Sequence, residues 1–206
     1  MTVKILSEAF NKEALLGLSL SYNKYDINTQ EGFDETLKIA ESLAFKGNGH
    51  NKFLSQIKVC IDITASRQWW QEFDTYKVET REQSESTMHT ITKSKIDKSN
   101  FNPIKFESDQ LQTVYDFHLN SMIDFINLIV EDNSISKQDK LLSIKGILPE
   151  SFLQRRIVTV NYMILQNIYF QRKTHKLPEW KLFLSAIEDQ IFQRYFIFPE
   201  HKHLPL

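Results

Sequence analysis

The most informative stretch of the chain lies between Leu148 and Arg172 and reads LPESFLQRRIVTVNYMILQNIYFQR. Ten of the fourteen residues from 157 to 170 are apolar, and they are spread around a helical wheel rather than along one stripe. This composition predicts a single helix that begins at Pro149, reaches about Lys173 and is enclosed by protein on most sides. Polar side chains within so apolar a segment are therefore candidates for a function.

Two arginines of this stretch carry the functional argument. At about 100° per residue, Asn161 and Arg172 fall within roughly 20° of each other on the predicted helix, and Arg155 lies on a second stripe. An arginine that is buried without a partner destabilises a protein, so each needs a carboxylate, a route to solvent or an anionic ligand. Spacing alone leaves open ion pairs with acids such as Glu150 or Glu179, and a phosphate site built on the planar guanidinium groups.

Length and charge limit the classes of protein that fit. The 206 residues suit one domain spanning 1–206, and no linker divides them. Lys and Arg number 25 against 26 Asp and Glu, so the net charge of −1 gives no sequence-wide case for binding nucleic acid or a membrane surface. Cys60 is the only cysteine, which excludes an internal disulfide and a thiolate zinc cluster. We interpret it as a packing residue.

The chain termini predict a cytoplasmic protein. The opening residues 1–8 lack the apolar stretch of a signal peptide, and no run of 18 apolar residues occurs. The tail His201-Lys202-His203 is interpreted as a solvated end. No metal site is predicted.

Alternation of apolar residues predicts the strands. A short strand is expected at Val3–Leu6. The clearest one runs through 53–65, where every second residue from Ile57 to Ile63 is apolar. The segment 66–102 has no sustained period and is expected to be a loop-rich excursion broken by short helical pieces, which in a compact domain is often functional.

Helical periodicity and capping residues predict the remaining elements. Helices are expected over about 12–22 and 33–45, from Ser108, from Ser136 to about Gly146, and from Pro178 to about Phe196. Strands and an excursion followed by a run of helices indicate an α+β domain rather than alternating βαβ units.

The stretch 148–172 resembles a segment of the flavin-dependent thymidylate synthases. In that family a Leu-Pro pair precedes an arginine, a Thr-Val-Asn triplet follows, and an Asn and an Arg come before a Gln-Trp or Glu-Trp pair. These places are held here by Leu148-Pro149, Arg155, Thr159-Val160-Asn161, Asn167, Arg172 and Glu179-Trp180. The match in order and spacing over about thirty residues is specific.

The Arg-His-Arg signature of the family is absent. Counted without gaps from Gly49-His50, its place is held by Thr75-Tyr76-Lys77, and the serine that follows falls within 84–86. A second register, based on Arg67-Gln68-Trp69, places Gln71-Glu72-Phe73 there instead. We prefer the first register, because 69–76 and 84–89 resemble phage-type relatives that replace the signature in this manner.

The resemblance implies a fold, an assembly and a set of ligands. The fold would be that of the thymidylate synthase-complementing proteins (ThyX-like), with a central, mostly antiparallel sheet flanked by long helices, and the chain would form a homotetramer. The ligands would be dUMP and the flavin cofactor FAD, with NADPH and methylenetetrahydrofolate as co-substrates. Because the flavin supplies the difficult chemistry, no protein nucleophile is required.

The resemblance also assigns residues to the two ligands. The phosphate of dUMP would be held by Arg155 and Arg172, with Ser84 and Ser86. The flavin would be faced by His50, Asn161, Asn167, Lys77 and Tyr76. Lys77 replaces one signature charge without its fork geometry. The rings of Trp69, Trp70 and Tyr76 either stack on a ligand or pack within the protein.

Three functions are therefore compared. The first is a divergent enzyme that transfers a one-carbon group to a pyrimidine nucleotide. The second is a non-catalytic homologue that binds nucleotide but has lost flavin chemistry. The third is a structural protein in which Arg155 and Arg172 are internally paired. We name no catalytic residue, because losing the two signature arginines removes contacts that are typically worth about 2.7–4 kcal/mol each.

Overall fold

Four strands form one antiparallel sheet in the computed structural model, which describes residues 1–22 and 26–201. The strands are β1 (Thr2–Ala9), β2 (Lys58–Ser66), β3 (Arg81–Ser84) and β4 (Leu153–Asn161), and their order in the sheet is β1-β2-β4-β3. The α+β class and the mostly antiparallel sheet are confirmed. β1 is longer than the predicted Val3–Leu6.

The alternation in β2 is the reason that this strand was predicted correctly. Val59, Ile61 and Ile63 are fully buried, and the residues between them are half-buried. Cys60 is one of these half-buried residues. The strand begins at Lys58 rather than near Phe53, because residues 52–55 form a short 3-10 turn.

The predicted single helix from Pro149 to Lys173 is wrong. Residues 153–161 form β4, and a helix, α7, occupies only Tyr162–Arg172. The run Ile157-Val158-Thr159-Val160 is β-branched, which disfavours a helix and favours a pleated strand. Val158 and Val160 are fully buried at the two-residue period of a strand. The helical stripe that placed Asn161 beside Arg172 therefore does not exist.

Backbone hydrogen bonds fix the register of β4 against β2. Arg67 N donates to Phe152 O at 3.0 Å, and Tyr162 N donates to Ile57 O at 3.1 Å. Residue numbers thus rise along one strand as they fall along the other, which defines an antiparallel pair. Asn161 stands at the end of β4 and is the N-cap of α7.

Most of the other helices begin close to their predicted starts, and two short ones lie within the predicted excursion 66–102. They are α1 (Asn11–Ser19), α2 (Gln30–Leu43), α3 (Arg67–Phe73), α4 (Thr87–Thr90), α5 (Asp109–Glu131), α6 (Lys137–Ile147) and α8 (Pro178–Gln190). Ser108 caps α5 by accepting from Leu111 N, and Ser136 caps α6 by accepting from Asp139 N. α8 ends at Gln190, short of Phe196.

The chain divides into two compact units. The first unit comprises Met1, 64–72 and 84–155, and the second comprises 2–63, 73–83 and 156–206. An aliphatic cluster on α5 and α6 forms the core of the first unit, with members such as Ile123, Ile126 and Ile144. Trp69 and Trp70 are fully buried in the first unit, where Trp70 Nε1 donates to Gln154 O at 3.0 Å, so both rings pack within the protein. The single domain over 1–206 stays a prediction.

The core of the second unit is largely aromatic. Trp180 and Phe183 are fully buried on α8, and Phe73 lies 6.5 Å from Trp180 between ring centroids. Phe53 meets Phe196 edge-on at 5.3 Å. Edge-to-face pairs of this kind stabilise a core beyond the area that they bury.

The structure bears on two further predictions, which concern membrane-spanning segments and the solvated tail 201–203. Among the helices of residues 1–22 and 26–201, none combines the length and the apolar character needed to cross a bilayer. His201 lies 2.5 Å from the carboxylate of Glu188. Lys202 and His203 lie outside the residues that the structure describes.

Gln166→Leu is expected to lower the free energy of unfolding by about 1–3 kcal/mol. Gln166 is buried on α7, and its amide donates to Ala44 O at 2.9 Å and to Phe196 O at 2.8 Å, so leucine leaves both carbonyls without this donor. Urea denaturation measures the loss. The matched control is Asn167→Leu, at the exposed neighbouring position, which should stay within about 0.5 kcal/mol of the native protein. Equal losses would contradict the placement of Gln166.

Candidate functional site

Arg172 is held by two aromatic side chains at the end of α7. Its Nε donates to the phenol oxygen of Tyr76 at 2.9 Å, and its guanidinium carbon lies 4.8 Å from the centroid of the Trp180 ring. The Tyr76 hydroxyl in turn donates to Gln171 Oε1 at 2.9 Å. A stacked guanidinium with one edge hydrogen-bonded has little freedom to rotate, so its orientation is fixed before any ligand arrives.

The sequence places Tyr76 there through the turn that follows α3. Phe73 at the end of α3 is buried against Trp180 and Phe183, which anchors the turn in the aromatic core. Tyr76 N then donates to Phe73 O at 2.9 Å, and Thr80 Oγ1 donates to Tyr76 O at 2.5 Å. The turn 73–80 is thus tied at both ends, with Tyr76 directed at Arg172.

A cleft of about 270 Å³ opens beside this turn. Its lining consists of two rings and four polar side chains, namely Phe73, Tyr76, Asp74, Lys77, Thr80 and Glu82. The volume lies just below the usual range of small-molecule sites, which begins at about 300 Å³. Tyr76 is the residue that both lines the cleft and binds Arg172.

Arg156 orients the acidic wall of the cleft, which consists of Asp74 and Glu82. Its Nη1 donates to Asp74 Oδ1 at 2.8 Å and to Glu82 Oε2 at 2.9 Å, and its side chain is only 12% exposed. Asp74 and Arg156 therefore form an ion pair. Arg156 was not among the predicted site residues, although strand alternation places it on the opposite face from Arg155.

Both the oxygen and the nitrogen of the Asn161 side-chain amide are hydrogen-bonded within the protein. Its Oδ1 accepts from Ile164 N at 2.9 Å as the N-cap of α7, and its Nδ2 donates to Glu79 Oε2. The side chain is fully buried. Glu79 has a positive φ of 60°, so this contact secures a residue in an unfavourable backbone conformation. The flavin role of Asn161 stays a prediction.

A second group of predicted residues meets in the first unit. Glu85 N donates to Arg155 O at 2.8 Å, which places Ser84 and Ser86 on either side of the residue paired with Arg155. Arg155 and Ser84 are exposed, and Ser86 is half-buried. A cation and two hydroxyl groups therefore occupy adjacent backbone positions.

His50 and Asn167 lie at exposed positions of the second unit. The turn that carries His50 touches α7, since Asn51 Nδ2 donates to Gln166 Oε1 at 3.5 Å. The structure therefore brings the neighbours of His50 and Asn167 into contact. Glu150, a candidate partner of the arginines, instead lies 3.7 Å from Arg67.

Comparison with known proteins shows the fold. The chain matches a crystal structure of the flavin-dependent thymidylate synthase ThyX from Helicobacter pylori complexed with FAD and dUMP, with a TM-score of 0.75 and 16% sequence identity over 97% of this chain and 99% of that one. A second structure of that enzyme with FAD and dUMP gives a TM-score of 0.72 and 16% identity over 98% and 100% of the two chains. No protein-family model and no curated protein matches by sequence.

The class that these matches define is an α+β protein with an antiparallel sheet. Within that class, the chain has the fold of the flavin-dependent thymidylate synthases known as ThyX. The match covers nearly the full length of both chains, so the resemblance that 148–172 suggested is confirmed at the level of fold.

Asn161→Asp is expected to make stability depend on pH. The variant keeps the acceptor for Ile164 N but sets a second carboxylate beside Glu79, so the two repel when both are ionised. The folded pair then binds a proton more tightly than the unfolded chain does. Relative to the native protein, stability should be retained at about pH 4.5 and should fall by about 1–3 kcal/mol as the pH rises to about 7.5.

Urea denaturation at both pH values checks this expectation. The control is Asn161→Ser, which keeps a capping oxygen and adds no charge. Its loss should be the same at both pH values. A pH-independent loss in Asn161→Asp would contradict the contact between positions 161 and 79.

Proposed function

We propose that the protein binds a pyrimidine nucleoside monophosphate of the dUMP type, with Arg172 on the phosphate. The observation that carries the proposal is the fixed guanidinium of Arg172, hydrogen-bonded by Tyr76 and stacked on Trp180 beside the cleft. Both solved neighbours are complexed with dUMP, which supports the same ligand class for this chain.

A preorganised arginine suits a phosphate better than a mobile one. The guanidinium group grips two phosphate oxygens in one plane, and a stacked group loses less conformational freedom on binding. Lys77 in the lining of the cleft supplies a positive charge beside the nucleotide. In the first unit, Arg155, Ser84 and Ser86 offer a cation and two hydroxyl groups of their own, and we propose these three as phosphate-binding residues of that unit.

FAD is the proposed cofactor. His50 and Asn167 are exposed and Lys77 and Tyr76 line a cleft, so these four side chains are accessible to a flavin. Asn161 fits less well, because both ends of its amide are engaged within the protein. When bound, the flavin supplies the hydride and one-carbon chemistry, with NADPH and methylenetetrahydrofolate as the proposed co-substrates.

One observation favours the non-catalytic alternative. The place of the Arg-His-Arg signature is held by Thr75-Tyr76-Lys77, and Tyr76 is used to hold Arg172 rather than to add charge. A single lost electrostatic contact lowers a rate by about 10²–10³-fold. A homologue that binds nucleotide without flavin turnover is therefore the second candidate.

We also propose a cytoplasmic location and a kinship with phage-type relatives of the family.

Arg172→Gln is expected to weaken dUMP binding by roughly 10- to 100-fold, because hydrogen bonds to charged groups are worth about 1.5–3 kcal/mol. Isothermal titration calorimetry measures the dissociation constant. The matched control is Lys173→Gln, which removes a positive charge from the adjacent exposed position and should leave the affinity within about twofold. Equal affinities of the native protein and Arg172→Gln would refute the proposed phosphate site.

The flavin is tested on the same preparations. Absorbance near the flavin maximum after incubation with FAD and gel filtration is expected for the first candidate function. A colourless protein that still binds dUMP would establish the second. If neither ligand binds, the third function remains, in which Arg155 and Arg172 are internally paired.

We propose that the chain forms a homo-oligomer, a tetramer by analogy with the family, through an apolar side of α5. Five large apolar side chains on this 23-residue helix are at least half exposed: Leu111, Val114, Phe117, Phe125 and Leu128. Successive members are three or eight residues apart, so at about 100° per residue all five fall within roughly 120° of the helix circumference. Apolar surface of this extent typically marks a protein interface.

The double variant Phe117→Lys/Phe125→Lys is expected to reduce the mass of the assembly, because two buried charges oppose an apolar interface. Sedimentation-velocity ultracentrifugation measures the mass. Leu142→Lys, at an equally exposed position on α6, is the control and should leave the mass unchanged. An assembly that survives the α5 substitutions would place the interface elsewhere.

A further inference from the structure

The acidic wall of the cleft influences which pyrimidine base the site prefers to bind. Asp74 and Glu82 each give one carboxylate oxygen to Arg156, through Oδ1 and Oε2. Their side chains remain 34% and 38% exposed, and both line the cleft. Within residues 1–22 and 26–201, the remaining oxygens, Asp74 Oδ2 and Glu82 Oε1, accept no hydrogen bond. Each of the two acids that line the cleft therefore has one oxygen that Arg156 does not use.

Charge sets the direction in which a nucleotide enters. The lining holds one cation, Lys77, and two carboxylates, each of which is ion-paired with Arg156 through one oxygen. The carboxylate oxygens that do not contact Arg156 repel a phosphate, whereas Arg172, which contacts Tyr76 and is not part of the lining, attracts it. The base, which is uncharged, is thus the part that occupies the cleft.

Hydrogen bonding then selects among pyrimidines. Cytosine presents an exocyclic amine, which donates, where uracil presents the O4 carbonyl, which accepts. A carboxylate accepts hydrogen bonds and cannot donate them when ionised. The cytosine amine offers two N–H donors to the free oxygens of Asp74 and Glu82, whereas uracil offers a single donor, N3–H, and sets its O4 carbonyl against the other carboxylate. Lys77 supplies the only charged donor of the cleft lining, which suits the O2 carbonyl that both bases share.

We infer that the cleft prefers a nucleotide whose pyrimidine carries a 4-amino group, so that dCMP binds better than dUMP. The inference rests on the proposed nucleotide site with Arg172 on the phosphate. Arg156 is a positioning residue in this scheme, because it orients both carboxylates through Nη1 without lining the cleft.

Calorimetric titration of the full chain with dCMP, dUMP and the monophosphate of 2-pyrimidinone deoxynucleoside tests the inference. At neutral pH, dCMP should bind at least about tenfold more tightly than dUMP, as expected for one hydrogen bond to a charged acceptor. The 2-pyrimidinone nucleotide lacks any 4-substituent, so it removes both the amine and the repelled carbonyl. It also lacks the N3–H of uracil, so it offers no donor to either carboxylate and should bind at least about tenfold more weakly than dCMP.

Variants separate the wall of the cleft from the phosphate site. Asp74→Asn and Glu82→Gln each replace an acceptor by an amide that also donates, so the ratio of dCMP to dUMP affinity should fall by roughly tenfold in at least one of them. Asp189→Asn, at an exposed position of α8, removes the same charge away from the cleft and should leave the ratio unchanged. A ratio is insensitive to a general loss of folded protein, which keeps the test valid if Arg156 loses part of its anchorage.

Two results would overturn the inference while leaving the proposed function intact. The first is dUMP binding as tightly as dCMP, with both affinities reduced in Arg172→Gln. The second is a dCMP preference that neither acid substitution changes. Failure of both nucleotides to bind the native protein would overturn the proposed function together with the inference.

Discussion

The contact between Arg172 and Tyr76 is the constraint on which the interpretation of the site depends. It joins the end of α7 to the turn after α3, two segments 96 residues apart, through one hydrogen bond of 2.9 Å. Trp180 completes the arrangement by supporting the guanidinium from the first turn of α8. Because the guanidinium is delocalised and planar, stacking fixes its plane while leaving its charge intact. A charge held in this way is ready to bind an anion without the entropic cost of ordering a long side chain.

The same turn adapts the ThyX fold to a sequence that lacks the Arg-His-Arg signature. Tyr76, the middle residue of the replaced triplet, contributes a phenol that orients an existing arginine, and Asp74 and Glu82 surround a second one, Arg156. Of the cations that family resemblance places in the triplet, only one has a counterpart, Lys77, and two further cations of this region come from α7 and β4. This arrangement supports the proposal that the site holds a nucleotide rather than stabilising charge that develops during a reaction.

Much of the fold follows from local patterns in the sequence. The alternation in β2 and the serine caps of α5 and α6 gave the correct element types, because the side chains that decide them are within four residues of one another. The stretch 148–172 was assigned incorrectly. Its apolar residues satisfy a helical and an extended pattern equally, and the choice between the two is made by pairing with β2, which lies about ninety residues earlier in the chain.

The sequence by itself determined the α+β class, the candidate arginines Arg155 and Arg172, and the departure from the signature at Thr75-Tyr76-Lys77. Only the tertiary structure decided what these side chains touch. The structure shows three such contacts: Arg156 pairs with Asp74 and Glu82, Asn161 donates a hydrogen bond to Glu79, and the Trp180 ring supports Arg172. The first two join residues more than seventy positions apart, and the third joins elements that packing brings together. Periodicity and capping act over a few residues, whereas electrostatic and aromatic contacts depend on where the folded chain returns in space.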